Sequence, residues 1–545
     1  MKRILTVILL AISCICQAQE EEVIERLTVY GQVWGFLKYF HPEPGHRDWD
    51  QVILDNYEIV KNCENREEFN VVLSRLLEIC KDYEPVPREV NDSMLFHQSF
   101  EWIENELISA DNKAWLHHLR LNKPAFKNKY IKGAFVGSPD ITGENKYETF
   151  NSNPAINYLA ATRYWNIINY YYPYRDLIPT NWTEVYRAHI PEFISASTYD
   201  AYYFAVRSLT TEIRDAHGFI RTENNPMDHY KFAPFYCESV RDGVFVKLVW
   251  QDTLQPFNLQ PMDRLVAIDG KTLDEKWEEI SRVVATSNDY YLSKATYYLR
   301  ISDKDTMVIT VERNGKRITD TLVTIDRETL QSRYKPTQSN GEKSSYAFLK
   351  DSVSGKEYAY LHMGRLKSSE ITRKFQRKLH KTDHVVIDIR NYPNWTVLKL
   401  SDALIKGKRK FAKFINMDFD YPGSYKWTTS QTIGNTRKEY KGKLYVLVDY
   451  NTMSQAEYTV MALQQHPNTT VIGGQTAGAD GNIVEIPLPF GIRSVFSGLG
   501  VYYPDGTGTQ QVGVKRDIPV VQDKSYIEFG NDLILNKALE LIRNE

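Results

Sequence analysis

One serine stands where the sequence predicts that a strand ends and a helix begins. The apolar residues 444–448 predict a strand, turn-forming residues follow, and residues 456–465 have a helical pattern. Ser454 lies at this corner, where its hydroxyl can protrude from the sheet edge. The unpaired N–H groups of the first helical turn favour negative charge there. An acyl-transfer nucleophile needs this environment.

The same residues also fit a purely structural role. Ser454 is followed three residues later by Glu457, and this spacing is that of a capping box, in which the serine caps the helix and the glutamate reaches back to it. Capping boxes are common at helix starts. The local pattern alone therefore leaves both a cap and a nucleophile open.

Four segments together resemble the catalytic core of the C-terminal processing and tricorn-like serine peptidases. They occur in the order of that family and read VVIDIR at 385–390, LVDYNTMSQAE at 447–457, VIGGQTAG at 471–478 and GVKRDIPV at 513–520. In the family, the serine of the S-x-A-E segment is the nucleophile, which corresponds to Ser454. The resemblance implies a crotonase-like α/β catalytic domain.

A serine nucleophile needs a base, and the resemblance offers two positions for it. In the C-terminal processing branch the base is a lysine after G-x-x-T-x-G, where this chain has Ala479, and a methyl group accepts no proton. In the tricorn-like branch a histidine completes the relay, and His217 in a D-x-H segment corresponds to it. Imidazole suits general-base work near neutral pH. The alternative is a packed, structural histidine, as in the lysine-type members.

The group that orients the base is open. Tricorn-like members have a serine just before the histidine, where this chain has Ala216, and a glutamate where this chain has Gln510. A neutral amide orients an imidazole but does not stabilise imidazolium as a carboxylate does. Asp215 and Glu485 are the candidate substitutes, and the sequence does not choose between them.

An oxyanion hole would draw on two backbone N–H groups. One belongs to Gln455, the residue after the nucleophile, and the other to the loop after Arg390, from Asn391 or Asn394. The family has a glycine-rich R-G-N-x-G-G segment in this loop, whereas this chain has no glycine there. The loss restricts how the loop can turn. Trp395 is expected to fill part of the substrate cleft.

The start of the chain predicts export. Residues 1–18 combine a basic start, an apolar core and small residues before Ala18, so we expect a signal peptide that is cleaved after Ala18. A lipid anchor at Cys14 is the alternative, although the residues before Cys14 form a poor lipobox. No later apolar run is long enough to span a bilayer. The predicted location is periplasmic or extracellular.

Composition excludes several classes of partner. A formal charge of -2 gives no reason to expect nucleic acid, and no Cys/His spacing is that of a metal site, so we expect neither metal nor cofactor. Three cysteines follow the signal. Cys63 and Cys80 either form one bridge or are buried thiols, and Cys237 is left over.

An internal repeat organises the first part of the chain. Residues 34–42 (WGFLKYFHP) align without gaps on residues 165–173 (WNIINYYYP), and Trp49 aligns on Trp182 after a two-residue slip. Each copy continues into a helical pattern, so we expect two related helical modules whose aromatic residues pack between helices.

A change of periodicity marks the middle of the chain. Residues 243–249 alternate as a strand, and Asn314-Gly315 predicts a tight hairpin turn. The segment 259–270 resembles a PDZ domain through L-x-x-x-D-x-L-x-x-I-D-G, although Met262 stands where a glycine usually precedes the aspartate. PDZ domains bind peptide ends at a sheet edge.

The predicted architecture is multidomain. Alternating strands and helices after about residue 346 indicate an α/β layered domain. The predicted boundaries are a signal peptide at 1–18, a helical module at 19–119, a linker at 120–153, a second helical module at 154–228, a PDZ-like domain at 229–330 and an α/β peptidase core at 340–545.

Two functions remain open. The first is an exported serine endopeptidase that cuts polypeptides, with Ser454 as nucleophile and His217 as base. The second is an inactive protein of the same scaffold that binds peptide ends through the PDZ-like domain. The retention of Ser454 in S-x-A-E, together with His217, favours the enzyme. Cleavage specificity and oligomeric state are not predictable from the sequence.

Overall fold

The computed structural model of the chain describes residues 2–41, 47–80, 86–123, 128–134, 137–250, 257–333, 344–435 and 438–545. Helices dominate the first 210 or so residues, an antiparallel sheet follows, and strands alternate with helices from Tyr346 onward. Within the described residues, no helix has the length and apolarity needed to cross a bilayer. The side chains of the predicted signal peptide, including Cys14, lie outside the described part of the chain.

The helical region has, in its described residues, seven α-helices with short strands between them. Its first helix continues into a π-helical turn at Phe36–Phe40. The α-helices are Lys2–Gly35, Trp49–Lys61, Arg66–Glu78, Ala110–Leu121, Pro154–Tyr171, Trp182–Ser195 and Tyr199–Thr211. The short elements are the strands Val86–Pro87, Met94–Phe96, Asn122–Lys123, Ile131–Gly133 and Pro139–Ile141 and the 3₁₀-helices Glu101–Glu104 and Arg175–Leu177.

The two repeats make equivalent contacts. The indole of Trp34 donates to the carbonyl of Trp49 at 2.7 Å, and the indole of Trp165 donates to the carbonyl of Trp182 at the same distance. All four rings are buried. The predicted packing role of these aromatics is therefore confirmed.

The repeats also exchange hydrogen bonds with each other. Gln32 of the first copy donates to Thr183 of the second at 2.9 Å, and Arg163 of the second donates to Asp50 of the first at 2.8 Å. Gln32 aligns with Arg163, and Asp50 aligns with Thr183. The two modules thus pack as a pseudo-symmetric pair.

The segment 120–153 is part of this core and is not a free linker. Its Glu144 is fully buried and lies 2.7 Å from the Lys38 ammonium and 3.0 Å from the Arg163 guanidinium. Asp50 completes the group, 3.0 Å from Lys38 and 2.8 Å from Arg163. Composition suggested a linker because the segment is polar, but one of its acids neutralises two buried cations, which would otherwise carry a large desolvation penalty.

The three cysteines beyond the signal are buried free thiols. Of the two alternatives for Cys63 and Cys80, the structure has the thiols and not the bridge.

The middle region is an antiparallel sheet flanked by short helices. The order of its strands is Lys316–Val323, Thr306–Arg313, Arg264–Ile268, Gly243–Val249 and Phe235–Val240, with Lys271–Thr272 paired to Arg264–Ile268. Its other elements are the strands Ile220–Arg221, Lys231–Phe232 and Ile301–Ser302, the 3₁₀-helices Pro226–His229 and Thr296–Arg300, and the α-helices Leu273–Ser281, Asp289–Ser293 and Arg327–Arg333.

Two backbone positions explain the local sequence of this region. Asn314 and Gly315 both have positive φ, 51° and 74°, as the predicted two-residue hairpin turn requires. Met262 has a φ of 72°, so it holds the left-handed conformation for which a glycine is usual at that position. The next residue, Asp263, is fixed by Arg313 at 2.6 Å. The turn is therefore kept without the glycine.

The C-terminal region is built on a mostly parallel sheet. In spatial order its strands are Tyr346–Lys350, Glu357–His362, His384–Asp388, Lys443–Val448, Thr469–Gly473 and Ile518–Pro519, of which only the first pair is antiparallel. The α-helices are Arg373–Leu379, Val397–Leu404, Gln455–Leu463, Lys524–Phe529 and Leu533–Asn544, with a 3₁₀-helix at Ser368–Glu370.

Two smaller sheets join the first half of the chain to the C-terminal region. One contains Met94–Phe96, Ser424–Trp427, Arg409–Met417, Gln431–Ile433 and Gly500–Tyr502. The other contains Ile483–Pro487, Arg493–Ser497 and Ile220–Arg221. Both therefore pair a strand from the first half of the chain with strands from the second half, and the two halves share one hydrophobic core.

Candidate active site

Ser454 occupies a sharp turn at the carboxyl edge of the parallel sheet. The strand Lys443–Val448 ends there and the helix Gln455–Leu463 begins one residue after Ser454. Ser454 has φ 57° and ψ -124°, a backbone conformation that residues other than glycine rarely adopt. Its N–H donates to the carbonyl of Ala479 at 2.8 Å, which holds the turn. A serine on such a strained strand-to-helix turn presents its hydroxyl outward.

This geometry separates the two roles that the sequence left open. The Ser454 side chain makes no hydrogen bond to the first helical turn, whereas the ordinary caps of this chain do, as Thr272 does to the N–H of Glu275 at 3.3 Å. Ser454 and Glu457 face each other as in a capping box, but the hydrogen bond of ordinary geometry between them is the one in which Glu457 accepts the Ser454 N–H, at 3.3 Å. The hydroxyl is thus left available for chemistry.

Glu457 braces the loop beneath the serine. Its buried carboxyl accepts hydrogen bonds from the hydroxyl of Thr476 at 2.6 Å, from Gly478 N–H at 2.9 Å and from Ala479 N–H at 3.0 Å. Burial raises the pKa of Glu457 to about 7, and these hydrogen bonds oppose the rise. The S-x-A-E and G-x-x-T-x-G segments are therefore fixed to each other through one carboxyl group.

The lysine position of the related peptidases holds a buried methyl group. Ala479 has no exposed surface, and next to it Asp480 is buried with one carboxyl oxygen lacking a hydrogen-bond partner. Burial and the neighbouring Glu457 raise the pKa of Asp480 well above its usual range. A lysine base of the C-terminal processing type is therefore excluded at this position.

Strand pairing carries His217 to the C-terminal region. His217 lies three residues before the strand Ile220–Arg221, which pairs with Arg493–Ser497 in the register Ile220 to Ser494. The ring nitrogen Nδ1 lies 2.8 Å from the hydroxyl oxygen of Ser497 at the end of that strand. The opposite strand, Ile483–Pro487, begins four residues after Ala479. Ala479, whose carbonyl accepts the Ser454 N–H, therefore lies four residues before the sheet that is paired to the segment of His217.

Ser497 joins His217 to Asp215. The Ser497 hydroxyl donates to Asp215 Oδ1 at 3.0 Å, so its oxygen is left to accept from Nδ1–H of His217. The direct distance between His217 Nδ1 and Asp215 Oδ1 is longer than either of these hydrogen bonds, at 3.9 Å. Asp215 is fully buried and also accepts the backbone N–H groups of Ser497 and His217 at 2.7 and 3.0 Å. We call the chain of hydrogen bonds from His217 through Ser497 to Asp215 the relay.

The relay sets the tautomer of the imidazole. With its proton on Nδ1, His217 keeps a lone pair on Nε2, the form that a general base requires. Burial lowers the pKa of His217, and the charge of Asp215 opposes this change. No hydrogen bond joins the ring to the Ser454 hydroxyl among the described residues.

The other candidates for the orienting group lie elsewhere. Glu485 pairs with Arg221 and with Arg493, the latter at 3.5 Å, and so is engaged in a surface ion pair. Gln510, at the family glutamate position, is buried and donates to the hydroxyl of Tyr172 at 3.4 Å. Of the three predicted alternatives, Asp215 is the one that the structure brings to His217.

The residues predicted to form the oxyanion hole follow the strands His384–Asp388 and Lys443–Val448, which end side by side at one edge of the sheet. Asn391 and Asn394 use their side chains to fix their loop, Asn391 to the carbonyl of Asp388 at 3.2 Å and Asn394 to that of Gly364 at 2.9 Å. The backbone N–H of Gln455 follows the strained serine directly.

The loop after Arg390 turns without a glycine because Trp395 takes a positive φ of 45°. The Trp395 side chain is 70% exposed, so the prediction that it fills part of the cleft was wrong. Tyr392 lies on the cleft instead.

A cavity of about 1050 Å³ lies between the helical, middle and C-terminal regions, and we call it the cleft. Its wall includes Ala216 and Gly218 on either side of His217, Met453 just before Ser454, and Asn391. Chain neighbours of the predicted nucleophile and base therefore line one space together with the predicted oxyanion loop, and this space is large enough for a segment of polypeptide.

Comparisons with known proteins agree with this arrangement. The model of peptidase family S41 matches residues 357–520, the segment that contains Ser454 and its sheet. These residues are an S41 peptidase domain. The resemblance to the C-terminal processing and tricorn-like serine peptidases is thereby confirmed, and the chain carries a serine-type peptidase domain. No curated protein sequence matches the chain significantly.

The solved structure of CPAF shows the same fold over a longer part of the chain. Mature CPAF complexed with lactacystin is 12% identical, and the similarity covers 72% of this chain and 98% of CPAF with a TM-score of 0.55. The photosystem II D1 C-terminal processing protease (13% identity, 66% and 92% coverage) and the tricorn protease (12%, 70% and 36%) have TM-scores of 0.36 and 0.34. The shared fold thus extends beyond the S41 domain in a multidomain chain.

Sequence reasoning missed Ser497. The residue ends a short strand, RSVFS, that lies more than forty positions after the nucleophile, and it is 280 positions from His217. No motif marks it. Only the pairing of Ile220–Arg221 with Arg493–Ser497, which is a long-range contact, brings it to the histidine.

Proposed function

We propose that this chain is an exported serine endopeptidase in which Ser454 is the nucleophile and His217 is the base. The observation that carries the proposal is the strained backbone of Ser454, whose hydroxyl accepts no cap hydrogen bond and whose neighbour Met453 lines the cleft. Strained backbone conformations cluster at functional sites, where the surrounding structure maintains them. Here Glu457 and Ala479 hold the backbone of the turn.

The proposed reaction is acyl transfer to water. Ser454 Oγ attacks the peptide carbonyl while His217 Nε2 takes its proton, and the imidazolium then gives the proton to the departing amine. The N–H of Gln455, with one from the loop at Asn391 or Asn394, stabilises the oxyanion. Water then attacks the acyl-enzyme through the same base.

The relay gives His217 its role. Asp215 stabilises the imidazolium through Ser497, which the hydrogen bonds of 2.8 and 3.0 Å support. Since the imidazole does not contact Ser454 directly in this unliganded state, we expect the Nε2 to Oγ hydrogen bond to form as substrate closes the cleft.

We further assign the middle region as a PDZ-like domain and the C-terminal region as a crotonase-like domain. The hairpin at Asn314-Gly315 and the fixed Asp263 support the first, and the parallel sheet with the serine at its edge supports the second. The basic and apolar start of the chain supports export to the periplasm or the exterior, with an anchor at Cys14 as the alternative.

Hydrolysis of an unfolded polypeptide by the full mature chain tests the proposal. Wild type should produce fragments, and Ser454→Ala should produce none while retaining its secondary structure by circular dichroism. Glu485→Gln is the matched control, because this acid lies outside the relay and should leave hydrolysis unchanged. Equal hydrolysis by wild type and Ser454→Ala would overturn the assignment of the nucleophile.

One observation favours a second function, a peptide-binding protein without activity. The lysine position is Ala479, and its methyl group is fully buried beside Glu457 and Asp480. If wild type is inert and Ala479→Lys restores cleavage, the natural chain acts by binding. Cleavage by wild type that His217→Ala abolishes would exclude this function.

A further inference from the structure

The cleft is basic. Four basic side chains line it, and no acidic side chain does so within the described part of the chain. Two of the four are already neutralised, since Arg390 lies 2.7 Å from Asp388 and Arg327 lies 3.5 Å from Asp228. The other two are Arg207 and Lys294.

Arg207 faces the cleft from the helix Tyr199–Thr211 without a carboxylate partner among the described residues. Its half-buried guanidinium donates to the hydroxyls of Tyr203 at 3.2 Å and Tyr298 at 3.0 Å and to the carbonyl of Val283. These neutral acceptors hold the side chain in place but leave its charge uncompensated.

Lys294 faces the cleft from the middle region and also has no carboxylate in ion-pair contact within the described chain. Its ammonium donates to the carbonyl of Ser239 and lies 5.0 Å from the ring centre of Tyr290 and 5.8 Å from that of Tyr450. Burial lowers the pKa of Lys294, and the charges of Glu238 and Asp449, which are not in ion-pair contact with it, oppose this change. A half-buried cation in this state gains stability when an anion approaches it.

We propose that the cleft binds polypeptide segments that carry a carboxylate, and that Arg207 and Lys294 hold this carboxylate near the bond to be cut. This substrate class rests on the proposed peptidase function. The remaining wall, which includes Tyr203, Tyr291 and Tyr392, offers aromatic surface to the rest of the segment. Either an acidic side chain or a free C-terminal carboxylate can supply the charge.

Matched peptides test the proposal and distinguish the two sources. One short peptide that the enzyme cuts is prepared with Glu or Gln at each position in turn, and with a C-terminal acid or amide. Hydrolysis is measured as kcat/KM with wild type, and binding is measured by fluorescence anisotropy with Ser454→Ala, which holds substrate without cutting it. If wild type cuts nothing, the anisotropy arm alone uses an unfolded acidic peptide and its Gln counterpart.

We expect the carboxylate form at the preferred position to bind and react about tenfold to a hundredfold better than its amide counterpart. The preference should fall as salt is added. Lys294→Met and Arg207→Met should each reduce the ratio between the carboxylate and amide forms towards one. Lys350→Met is the control, because Lys350 lies outside the cleft and pairs with Glu357. It should keep the full preference.

The outcomes separate this inference from the proposed function. Equal binding of all carboxylate and amide forms, unchanged in both cleft variants, overturns the inference even if hydrolysis depends on Ser454. A carboxylate preference in binding that both variants lose supports it, even where wild type fails to hydrolyse any peptide. Because Arg207 makes several structural contacts, circular dichroism is used to check that the Arg207→Met variant is folded. If that variant is unfolded, the result for Lys294→Met decides the test.

Discussion

Replacement of Ser454 by glycine should stabilise the protein, whereas replacement by alanine should leave its stability nearly unchanged. At φ 57° and ψ -124°, any residue with a Cβ is strained by about 1–3 kcal/mol. Glycine removes this strain but adds about 0.5–1 kcal/mol of unfolded-state entropy, so the net gain is about 1 kcal/mol. Alanine keeps the Cβ and loses only a hydroxyl that makes no cap.

A helix cap would give the opposite order. There, alanine costs about 1 kcal/mol and glycine a few tenths relative to serine. The strained turn therefore predicts that the glycine variant is most stable and that serine and alanine are equal. The cap predicts that serine is most stable and alanine least.

Calorimetry on the full chain measures this order. A large chain unfolds in more than one step, so the transition that contains the S41 domain must be followed. A gain of about 1 kcal/mol in a domain of this size raises its midpoint by about 2–4 °C. A midpoint for the alanine variant that falls by this amount, with glycine between alanine and wild type, would refute the strained nucleophile turn.

Further predictions concern the base, the relay and the helical core. His217→Ala should lower turnover about a thousandfold. The acid limb of the wild-type kcat/KM profile should have its midpoint below about pH 6.5, because the base must be neutral and burial lowers the pKa of His217. A midpoint well above that value would contradict the assignment. Stability contributed by this buried neutral histidine is present above about pH 6.5 and is lost as pH falls through the lowered pKa. Ser497→Ala should lower kcat about tenfold to a hundredfold and shift the acid limb of the kcat/KM profile, since the Ser497 hydroxyl joins the imidazole to Asp215. Glu485→Gln should do neither. An unchanged pH profile for Ser497→Ala would show that the serine is only structural. Glu144→Gln should lower the free energy of unfolding of the helical core, measured with urea, by about 3–5 kcal/mol, because it leaves the charges of Lys38 and Arg163 under-neutralised. A loss under about 1 kcal/mol would contradict the buried role of this acid.

Much of the S41 domain was predictable because its signals are local. Buried parallel strands read as short apolar runs, and the turn before Ser454 is written in consecutive residues. The helix after it begins at Gln455, one residue before the predicted start. The Asn314-Gly315 turn is equally local, because glycine and asparagine adopt positive φ readily.

The parts that escaped prediction depend on distant residues. The polar segment 120–153 looked like a linker because nothing nearby shows that Glu144 neutralises two cations of other helices. Ser497 reaches His217 only through pairing between strands far apart in sequence. Trp395 was expected to fill part of the cleft, but its side chain is 70% exposed and does not line the cavity.

Reaction with a fluorophosphonate tests the central claim, that Ser454 is an activated nucleophile, most directly. The reagent is applied to the full mature chain, and mass spectrometry locates the adduct. We predict one phosphonate on the peptide that contains Ser454 and none in Ser454→Ala. Absence of an adduct, under conditions in which a known serine hydrolase reacts completely, would contradict the account, as would an adduct that persists in Ser454→Ala.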